Sequence, residues 1–488
     1  MRGLLTTALV SASVWAGAIA YWRNSGILPG GMQMLAWLGV LPVSLSAGGW
    51  MLHSLVVRRL AAREQAIAED GVAAGTASLQ PQDEAVLPAP LELLSAAARL
   101  PVGADIAALS ATLPTLPRPG LHPRFRDRDD LPVFAAFVHD LDTGPVAHAL
   151  EIPGMHGDAL VPDEEHLRAL ALLEPVAEEL LMAALAALPP MQSREERVVA
   201  GLRRMAEPDI GGVLRIEALL PAAWPPALRD AAGEWLRRSA VELGLEPRQL
   251  RLETVPVREA IEVWRRLQQI CEASPTEPRE WRLLLACESS MGERSIARLA
   301  AAGTLASGHR PEGVIPGEAA CGLLLRRVDA ATAGAVPGAV PAVALHRPWR
   351  APAGAGRSLR ARTQACGELI ASVLRRSGTA PEAVTLLVCD ADHRRDALAE
   401  AAAAAQSACP ELDAFEHCLA PGLVTGCTGH VAPLIALALA SGQVRRAQAP
   451  ALALGLADAD ERIAVALTPV AVDSPSARHS GPAPDGAG

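Results

Sequence analysis

The chain has 488 residues, half of them apolar, and a formal net charge of -10 at pH 7. It is long enough to bury a large core in one double-layered domain or in two or three domains. The acidic balance argues against a nucleic-acid partner, which needs a basic patch, and the absence of lysine excludes both a Schiff-base lysine and a phosphate-loop lysine.

The first 60 residues are predicted to form two transmembrane helices. Residues 4–22 and 24–57 carry no charge, and a helix needs about 20 mostly apolar residues to cross a bilayer. Arg58, Arg59 and Arg63 follow the second segment. Because positive residues stay in the cytoplasm, we expect a helical hairpin in the bacterial inner membrane with the large domain in the cytoplasm.

A cleaved signal peptide is the alternative for the first segment. Ala16-Gly17-Ala18 and Ala18-Ile19-Ala20 both offer small residues at the spacing of a cleavage site. Cleavage would leave one span, and the arginines that follow it would still place the large domain in the cytoplasm.

Residues 61–130 are predicted to be a linker rich in proline and alanine. Eight prolines lie between positions 81 and 123. Proline removes a backbone donor and fixes φ, so only short helical patches such as residues 91–100 are expected here. A linker of this composition would hold the folded body away from the bilayer.

From residue 131 onward, helix and strand patterns alternate, which predicts a layered α/β domain with an amino-terminal half at 131–255 and a carboxyl-terminal half at 256–470. Helices are predicted at 164–188, 227–243, 256–270, 289–302, 359–376, 397–407 and 428–441. Strands are predicted at 132–139, 213–219, 281–287, 320–328, 342–346, 384–390 and 463–468. The tail at 471–488 is rich in proline, glycine and serine and is predicted to be disordered.

Two motifs in the carboxyl-terminal half carry a family resemblance. One is the turn Gly-Val-Ile-Pro-Gly-Glu-Ala-Ala-Cys-Gly at 313–322, and the other is Thr-Gly-Cys-Thr-Gly-His at 425–430, before a long apolar run. Over residues 256–469 the chain resembles the ketoacyl-synthase branch of the thiolase-like fold. The resemblance implies a degenerate thiolase-like α/β fold with αβαβα layers, preceded here by the transmembrane hairpin.

Most of the catalytic groups that this resemblance implies are missing. The nucleophilic cysteine should lie just before the helix at 256–270, but residues 253–256 contain no thiol. Asp390 replaces the first histidine, where a carboxylate would repel a developing oxyanion, and Thr425 replaces the lysine. His430 and the turn residue Glu318 are retained, and both are expected to be structural. No catalytic residue, cofactor or metal is therefore predicted.

Cysteine, histidine and aspartate residues elsewhere in the chain offer other candidate chemistry. All eight cysteines lie after residue 270 without a Cys-x-x-Cys pair, which indicates a reducing compartment and no zinc or disulfide framework. Cys427 could form a dyad with His430, and Cys287 could be a nucleophile, although packed positions are favoured for both. Solvated loops are preferred to a metal site for the polar group His139, Asp140, Asp142, His148, His156, Asp158, Asp163 and His166.

A membrane anchor joined to a ketoacyl-synthase-like body without its catalytic set is similar to the adaptors of bacterial type VI secretion. This implies a non-catalytic, membrane-anchored adaptor that binds a protein partner, with a lipase effector and a spike protein as candidates. A homodimer through the thiolase-like body is also expected. The alternatives are a divergent β-ketoacyl synthase or acyltransferase of lipid or polyketide synthesis, and a non-catalytic partner of such an enzyme.

Overall fold

The computed structural model describes Arg23 and residues 90–150, 162–189, 196–199, 202–205, 211–273, 279–327, 342–353 and 358–470. The chain divides into two units, Met1–Leu87 and Pro88–Gly488, and the described residues from 90 to 470 lie in the second. The two predicted transmembrane helices, the linker up to residue 89 and the tail at 471–488 lie outside the described residues, Arg23 excepted. None of the helices in the described ranges is long and apolar enough to span a bilayer.

Ten α-helices and fifteen strands are found in the described ranges. The helices are α1 (Ile106–Thr112), α2 (Gly144–Leu150), α3 (Glu164–Ala187), α4 (Pro226–Glu242), α5 (Ala260–Glu272), α6 (Glu293–Ala301), α7 (Leu359–Ser377), α8 (Arg395–Ala408), α9 (Gly422–Thr425) and α10 (Ala432–Ala447). The strands are β1 (Leu91–Arg99), β2 (Gly120–Arg126), β3 (Pro132–Ala135), β4 (Glu196–Val199), β5 (Leu202–Met205), β6 (Val213–Pro221), β7 (Leu250–Val257), β8 (Glu280–Ser289), β9 (Glu318–Arg327), β10 (Val343–Leu345), β11 (Trp349–Pro352), β12 (Leu386–Cys389), β13 (Cys418–Leu419), β14 (Ala451–Gly455) and β15 (Glu461–Pro469).

One mixed sheet of 11 strands organises the body. Its order is β13-β12-β14-β15-β10-β1-β9-β8-β6-β7, and β11 pairs with β15 beside this path. The pairs β6–β7, β6–β8, β12–β13 and β12–β14 are parallel, and the remaining pairs along the path are antiparallel. The prediction of a mixed α/β body is therefore confirmed.

The sheet repeats one topology twice. Strands β1, β6, β7, β8 and β9 form one half, and β10, β12, β13, β14 and β15 form the other. Within each half, the spatial order from the outer edge inward is third, second, fourth, fifth and first in chain sequence. The halves meet where β1 pairs antiparallel with β10. The division thus falls between residues 327 and 343, not at the predicted position 255/256.

Three apolar clusters show how helices cover this sheet. The central cluster contains α5 and α10, for example Trp264 and Leu434, packed against residues of both halves. A second cluster packs α3 and α4 on the first half, and a third packs α7 and α8 on the second half. Neighbouring residues of β8 divide between clusters, with Leu284 in the central one and Leu283 in the second, as alternation along a strand requires.

The long, strongly apolar elements agree with the sequence prediction. The helix predicted at 164–188 is Glu164–Ala187, and the helix predicted at 359–376 is Leu359–Ser377. Capping residues explain where the helix Leu359–Ser377 begins and ends. The Ser358 hydroxyl accepts a hydrogen bond from the Ala361 N–H, and Gly378 ends the helix at φ +66°. The strands predicted at 281–287 and 320–328 are β8 and β9.

The helical patch predicted at 91–100 is wrong, because Leu91–Arg99 is a strand near the middle of the sheet. Its backbone pairs with β9 on one side and β10 on the other. No proline interrupts residues 91–99, although prolines at 90 and 101 flank them. The folded body therefore begins about 40 residues before the predicted end of the linker at 130.

The predicted helix at 256–270 starts too early. Residues Leu250–Val257 form strand β7, and α5 begins only at Ala260. Among the described strands, β7 pairs only with β6, so Pro256 lies on an edge strand of the described sheet, where the missing N–H is tolerated. The predicted strand at 132–139 is also shorter, because β3 ends at Ala135 and belongs to a two-stranded ribbon with β2.

Candidate functional site

A cleft of about 530 Å³ opens where β7, β12 and β14 end. Its lining includes Arg258 after β7, Asp390 after β12 and Asp458 after β14, together with Cys427 and Gly429 before α10. The carboxyl ends of parallel strands are the usual place for a ligand or active site in an open α/β sheet. This cleft is therefore the candidate functional site.

The two sequence motifs lie side by side at this site. The Cys427 N–H donates to the Ile315 carbonyl over 2.8 Å. A Cβ on Gly317 would overlap the Thr425 carbonyl, and Gly426, at φ +67°, packs against the carbonyls of Ile315 and Pro316. The glycines are needed because two backbone segments about 100 residues apart in sequence touch without intervening side chains.

His430 is buried, and both of its ring nitrogens have partners. Nδ1 lies 2.9 Å from a carboxylate oxygen of Glu288, and Nε2 lies 3.0 Å from the Leu219 carbonyl oxygen. A carbonyl can only accept, so Nε2 carries a hydrogen and donates to it. With Nδ1 held by the carboxylate, the imidazole offers the cleft neither a free acceptor nor a free N–H.

Glu288 is held against this histidine by several contacts. It accepts a second hydrogen bond, of 3.3 Å, from the backbone N–H of His430. Burial alone would raise the pKa of Glu288, but the hydrogen bond and charge of His430 outweigh burial and hold that pKa below its ordinary value. Gly429, at φ +52°, makes the approach possible, because a Cβ there would overlap the carboxylate.

Asp390 is also buried and also fully engaged. One carboxylate oxygen accepts from the Trp264 indole N–H over 2.9 Å. The other accepts from the backbone N–H groups of Leu456 at 2.6 Å and Ala457 at 3.0 Å. Burial raises the pKa of Asp390 in spite of these donors. The side chain connects β12, β14 and α5 through these hydrogen bonds.

The position expected for a nucleophile contains no thiol. Because α5 begins at Ala260, the residues just before the helix are Arg258 and Glu259, not residues 253–256, which lie within β7. Both Arg258 and Glu259 are exposed and line the cleft. The predicted position was wrong, and neither residue now found there is a cysteine.

The two alternative cysteines differ in position. Cys427 lines the cleft and is half-buried, and burial raises its thiol pKa to about 11. Cys287 is fully buried in β8 within the cluster of α3 and α4, and burial raises its pKa above the ordinary range. Since a thiolate is the reactive form, both thiols are poorly suited to nucleophilic attack near neutral pH.

Glu318 and Thr425 make internal contacts. Glu318 is buried and accepts hydrogen bonds from the Val138 N–H at 2.8 Å, from Arg168 Nε at 2.9 Å and from the Ser289 hydroxyl at 2.7 Å. The buried Thr425 hydroxyl donates to the Pro421 carbonyl over 3.1 Å. Neither side chain is among those that line the cleft.

Charged residues that the sequence analysis passed over dominate the rim of the cleft. The Arg394 guanidinium binds both oxygens of Asp392 at 2.8 and 3.0 Å. Asp458 accepts from the backbone N–H groups of Asp460 and Glu461. The Asp-Ala-Asp-His-Arg stretch at 390–394, at the end of the strand predicted at 384–390, could have indicated these residues. Side chains at the carboxyl ends of parallel strands lie together at one edge of a sheet.

One group of potential metal ligands occurs within the described ranges, at Asp163, Glu165 and His166. His166 is buried at the beginning of α3, which corrects its assignment to a solvated loop. Its Nδ1 accepts from the Asp163 N–H over 3.0 Å, and Arg294 pairs with the Asp163 carboxylate at 2.6 Å. These contacts explain the group as a helix cap with an ion pair. His156 and Asp158 of the same predicted polar group lie outside the described residues.

No protein-family model matches the chain, and no curated protein matches it. Several solved structures resemble the body. The ishigamide ketosynthase/chain length factor has 16% identity and a TM-score of 0.46, covering 79% of this chain and 100% of its own. A type II PKS acyl-carrier protein in complex with its ketosynthase has 12% identity and a TM-score of 0.47, and the match covers 78% of this chain and 100% of that chain. The oxazolomycin ketosynthase domain OzmH KS7 of Streptomyces albus JA3453 has 16% identity and a TM-score of 0.49, and the match covers 81% of this chain and 76% of that domain. Matches at this level say nothing about the chemistry of the cleft.

Proposed function

We propose that this chain is a non-catalytic, ketosynthase-like protein that works by binding another protein. The observation that carries the proposal is the engagement of both nitrogens of His430 and both oxygens of Asp390 by neighbouring groups. A general acid or base needs a free position within hydrogen-bond reach of the reacting atom. The imidazole of His430 has no such position, and three donors surround the Asp390 carboxylate.

The repeated topology supports the ketosynthase-like assignment. Two half-sheets of identical strand order enclose a central layer with α5 and α10, and outer helices cover both halves. This arrangement fits the αβαβα layers of a thiolase-like fold. The motif Thr428-Gly429-His430 precedes the central helix α10, where that family has its second histidine.

A divergent acyltransferase that uses Cys427 is the second candidate, because this thiol lines the cleft. Burial of Cys427 disfavours its thiolate, and the imidazole of His430, three residues later in the sequence, is bound to Glu288. The binding function is therefore the better supported of the two.

Thiol labelling of the full chain decides between them. The protein is incubated at pH 7.5 with an electrophile that carries a fatty-acyl chain, and the adduct is counted by intact-protein mass spectrometry. The variant His309→Cys, which places a thiol at an exposed position, serves as the positive control for the reagent. We expect an adduct on the control variant and no stoichiometric adduct on the wild type. An adduct on the wild type that Cys427→Ala removes would establish the acyltransferase.

For location, we propose that residues 1–60 anchor the chain in the bacterial inner membrane with the body in the cytoplasm. The support is the uncharged sequence of 24–57 and the arginines that follow it. Protease added to intact spheroplasts should leave the body uncut. Digestion of the body without lysis would reverse the orientation.

Two classes of partner follow from the hypotheses, and co-purification from membranes separates them. An active ketosynthase or an acyl carrier protein would make this chain the non-catalytic partner of a synthase. A lipase effector together with a spike protein would make it a secretion adaptor. The cleft geometry fits both classes, since a binding surface requires no reactive group.

A further inference from the structure

Phe415 is the most exposed large apolar side chain in the described ranges. It lies in the loop between α8 and β13 and is 94% exposed, whereas the next, Leu121, is 55% exposed. Burying a phenylalanine from water stabilises a complex by roughly 1.5–3 kcal/mol. A side chain held this far out of the protein is therefore available to a partner.

The loop holds Phe415 in a defined place. One oxygen of the Asp413 side chain accepts from the Phe415 N–H at 2.8 Å and lies 3.3 Å from the Glu416 N–H. The Asp413 carbonyl accepts from the His417 N–H at 2.8 Å. Leu412 and Cys418 on either side are buried in the cluster of α7 and α8. Because the turn is already ordered, binding would cost little loop entropy.

The surroundings of Phe415 in sequence are acidic. Glu411, Asp413 and Glu416 are exposed within four residues of it. The sequence has no arginine or lysine from residue 396 to residue 444. An apolar anchor with acidic neighbours is complementary to an apolar pocket with a basic rim.

We propose that Phe415 is the anchor of a docking site for a protein that offers an apolar pocket surrounded by arginine or lysine residues. The Phe415 ring fills the pocket, and Glu411 and Glu416 pair with its rim. The inference rests on the proposed binding function and names its surface and the chemistry of its partner.

The test begins with a photo-reactive phenylalanine at position 415 in the full chain, expressed in its native host. The same amino acid at position 134, on the exposed side of β3, is the control, because Phe134 is an exposed phenylalanine outside the loop that holds Phe415. The protein cross-linked from 415 is identified by mass spectrometry and purified. Its Kd is then measured against the wild type, Phe415→Ala, Phe134→Ala and the double variant Glu411→Arg/Glu416→Arg.

The docking site predicts that Phe415→Ala weakens Kd about tenfold or more, as loss of an aromatic anchor does. Phe134→Ala should leave Kd unchanged, and Glu411→Arg/Glu416→Arg should slow association and remove its salt dependence. If the wild type binds a partner and Phe415→Ala binds it equally well, the docking site is wrong while the binding function holds. If the wild type cross-links to no protein and co-purifies with none, both fail. A cross-link to a second copy of this chain also overturns the site.

Discussion

Asp390, which lines the cleft, and Glu288, which packs against the cleft residue Gly429, have different surroundings. Asp390, on the side of β12 and β14, has only neutral donors, namely the Trp264 indole and two backbone N–H groups. Glu288, on the side of β8 and α10, faces the imidazole of His430. Burial raises the pKa of Asp390, whereas for Glu288 the same effect is outweighed by His430 and the pKa falls.

The comparison teaches that both carboxylates have become part of the framework by different physical routes. Hydrogen bonds and the electrostatic interaction with His430 keep the pKa of Glu288 low, while directed N–H dipoles hold Asp390 without cancelling the cost of burial. In neither case does a titratable group remain free for a substrate. The variants below test each side separately, beginning with the largest expected effect.

His430→Ala should break the Glu288 side. It leaves the Glu288 carboxylate without its imidazole and the Leu219 carbonyl without its donor. Since Glu288 is partly solvated, we expect a loss of about 2 to 4 kcal/mol in the free energy of unfolding. Urea denaturation measures it, with the exposed His309→Ala as the control. Equal stability of His430→Ala and the wild type would mean that the pair is not formed.

Trp264→Phe should weaken the Asp390 side by a smaller amount. It removes the indole donor to a charged acceptor, which should cost about 1.5 to 3 kcal/mol beyond the loss of ring volume. Trp281→Phe is the matched control, because Trp281 is equally buried but its indole N–H has no hydrogen-bond partner in the described part of the chain. The difference between the two unfolding free energies isolates the hydrogen bond. If the two variants lose the same unfolding free energy, the hydrogen bond between Trp264 and Asp390 does not stabilise the fold.

Asp390→Asn should change the pH dependence of stability. The folded-state pKa of Asp390 is raised above 3.8, so between 3.8 and that higher value the folded chain binds more protons than the unfolded chain. Stability therefore falls as pH rises through this window, and the asparagine variant should lack that fall. Denaturation midpoints from pH 3.5 to 8 provide the measurement. A fall of the same size in the variant would assign it to another group.

Glu288→Gln should show the opposite sign. The folded-state pKa of Glu288 lies below 4.5, so its contribution is present above 4.5 and is lost as pH falls through the folded value. The glutamine variant should lack this loss of stability at acid pH. If both variants changed the pH profile in the same direction, the pKa values of Asp390 and Glu288 would be shifted in the same direction, which would contradict the comparison.

The parts of the fold that could be predicted are those with long and uniform apolar patterns. α3 and β9 have buried residues along most of their length, and their bounds were predicted within two residues. β1 was missed because its neighbourhood is rich in proline, and β7 because Pro256 resembles the first residue of a helix. β14 was not predicted, since all five residues of Ala-Leu-Ala-Leu-Gly are nonpolar and show neither helical nor strand periodicity.

For the site, motif positions identified Asp390 and His430 but not what holds them. Trp264 is 126 residues from Asp390, and Glu288 is 142 residues from His430. No local pattern connects residues so far apart in sequence. Glu288 directly follows Cys287 in sequence, yet Cys287 packs in the cluster of α3 and α4 while Glu288 binds His430. Which polar groups are satisfied is a property of the tertiary structure.

The most direct test of the proposed non-catalytic role is carbon dioxide release from a malonyl thioester, with an acyl thioester present, by the purified full chain. Because both ring nitrogens of His430 are engaged and burial raises the pKa of the Cys427 thiol, we predict release no faster than in buffer. Release by the wild type that Cys427→Ala abolishes would contradict the account.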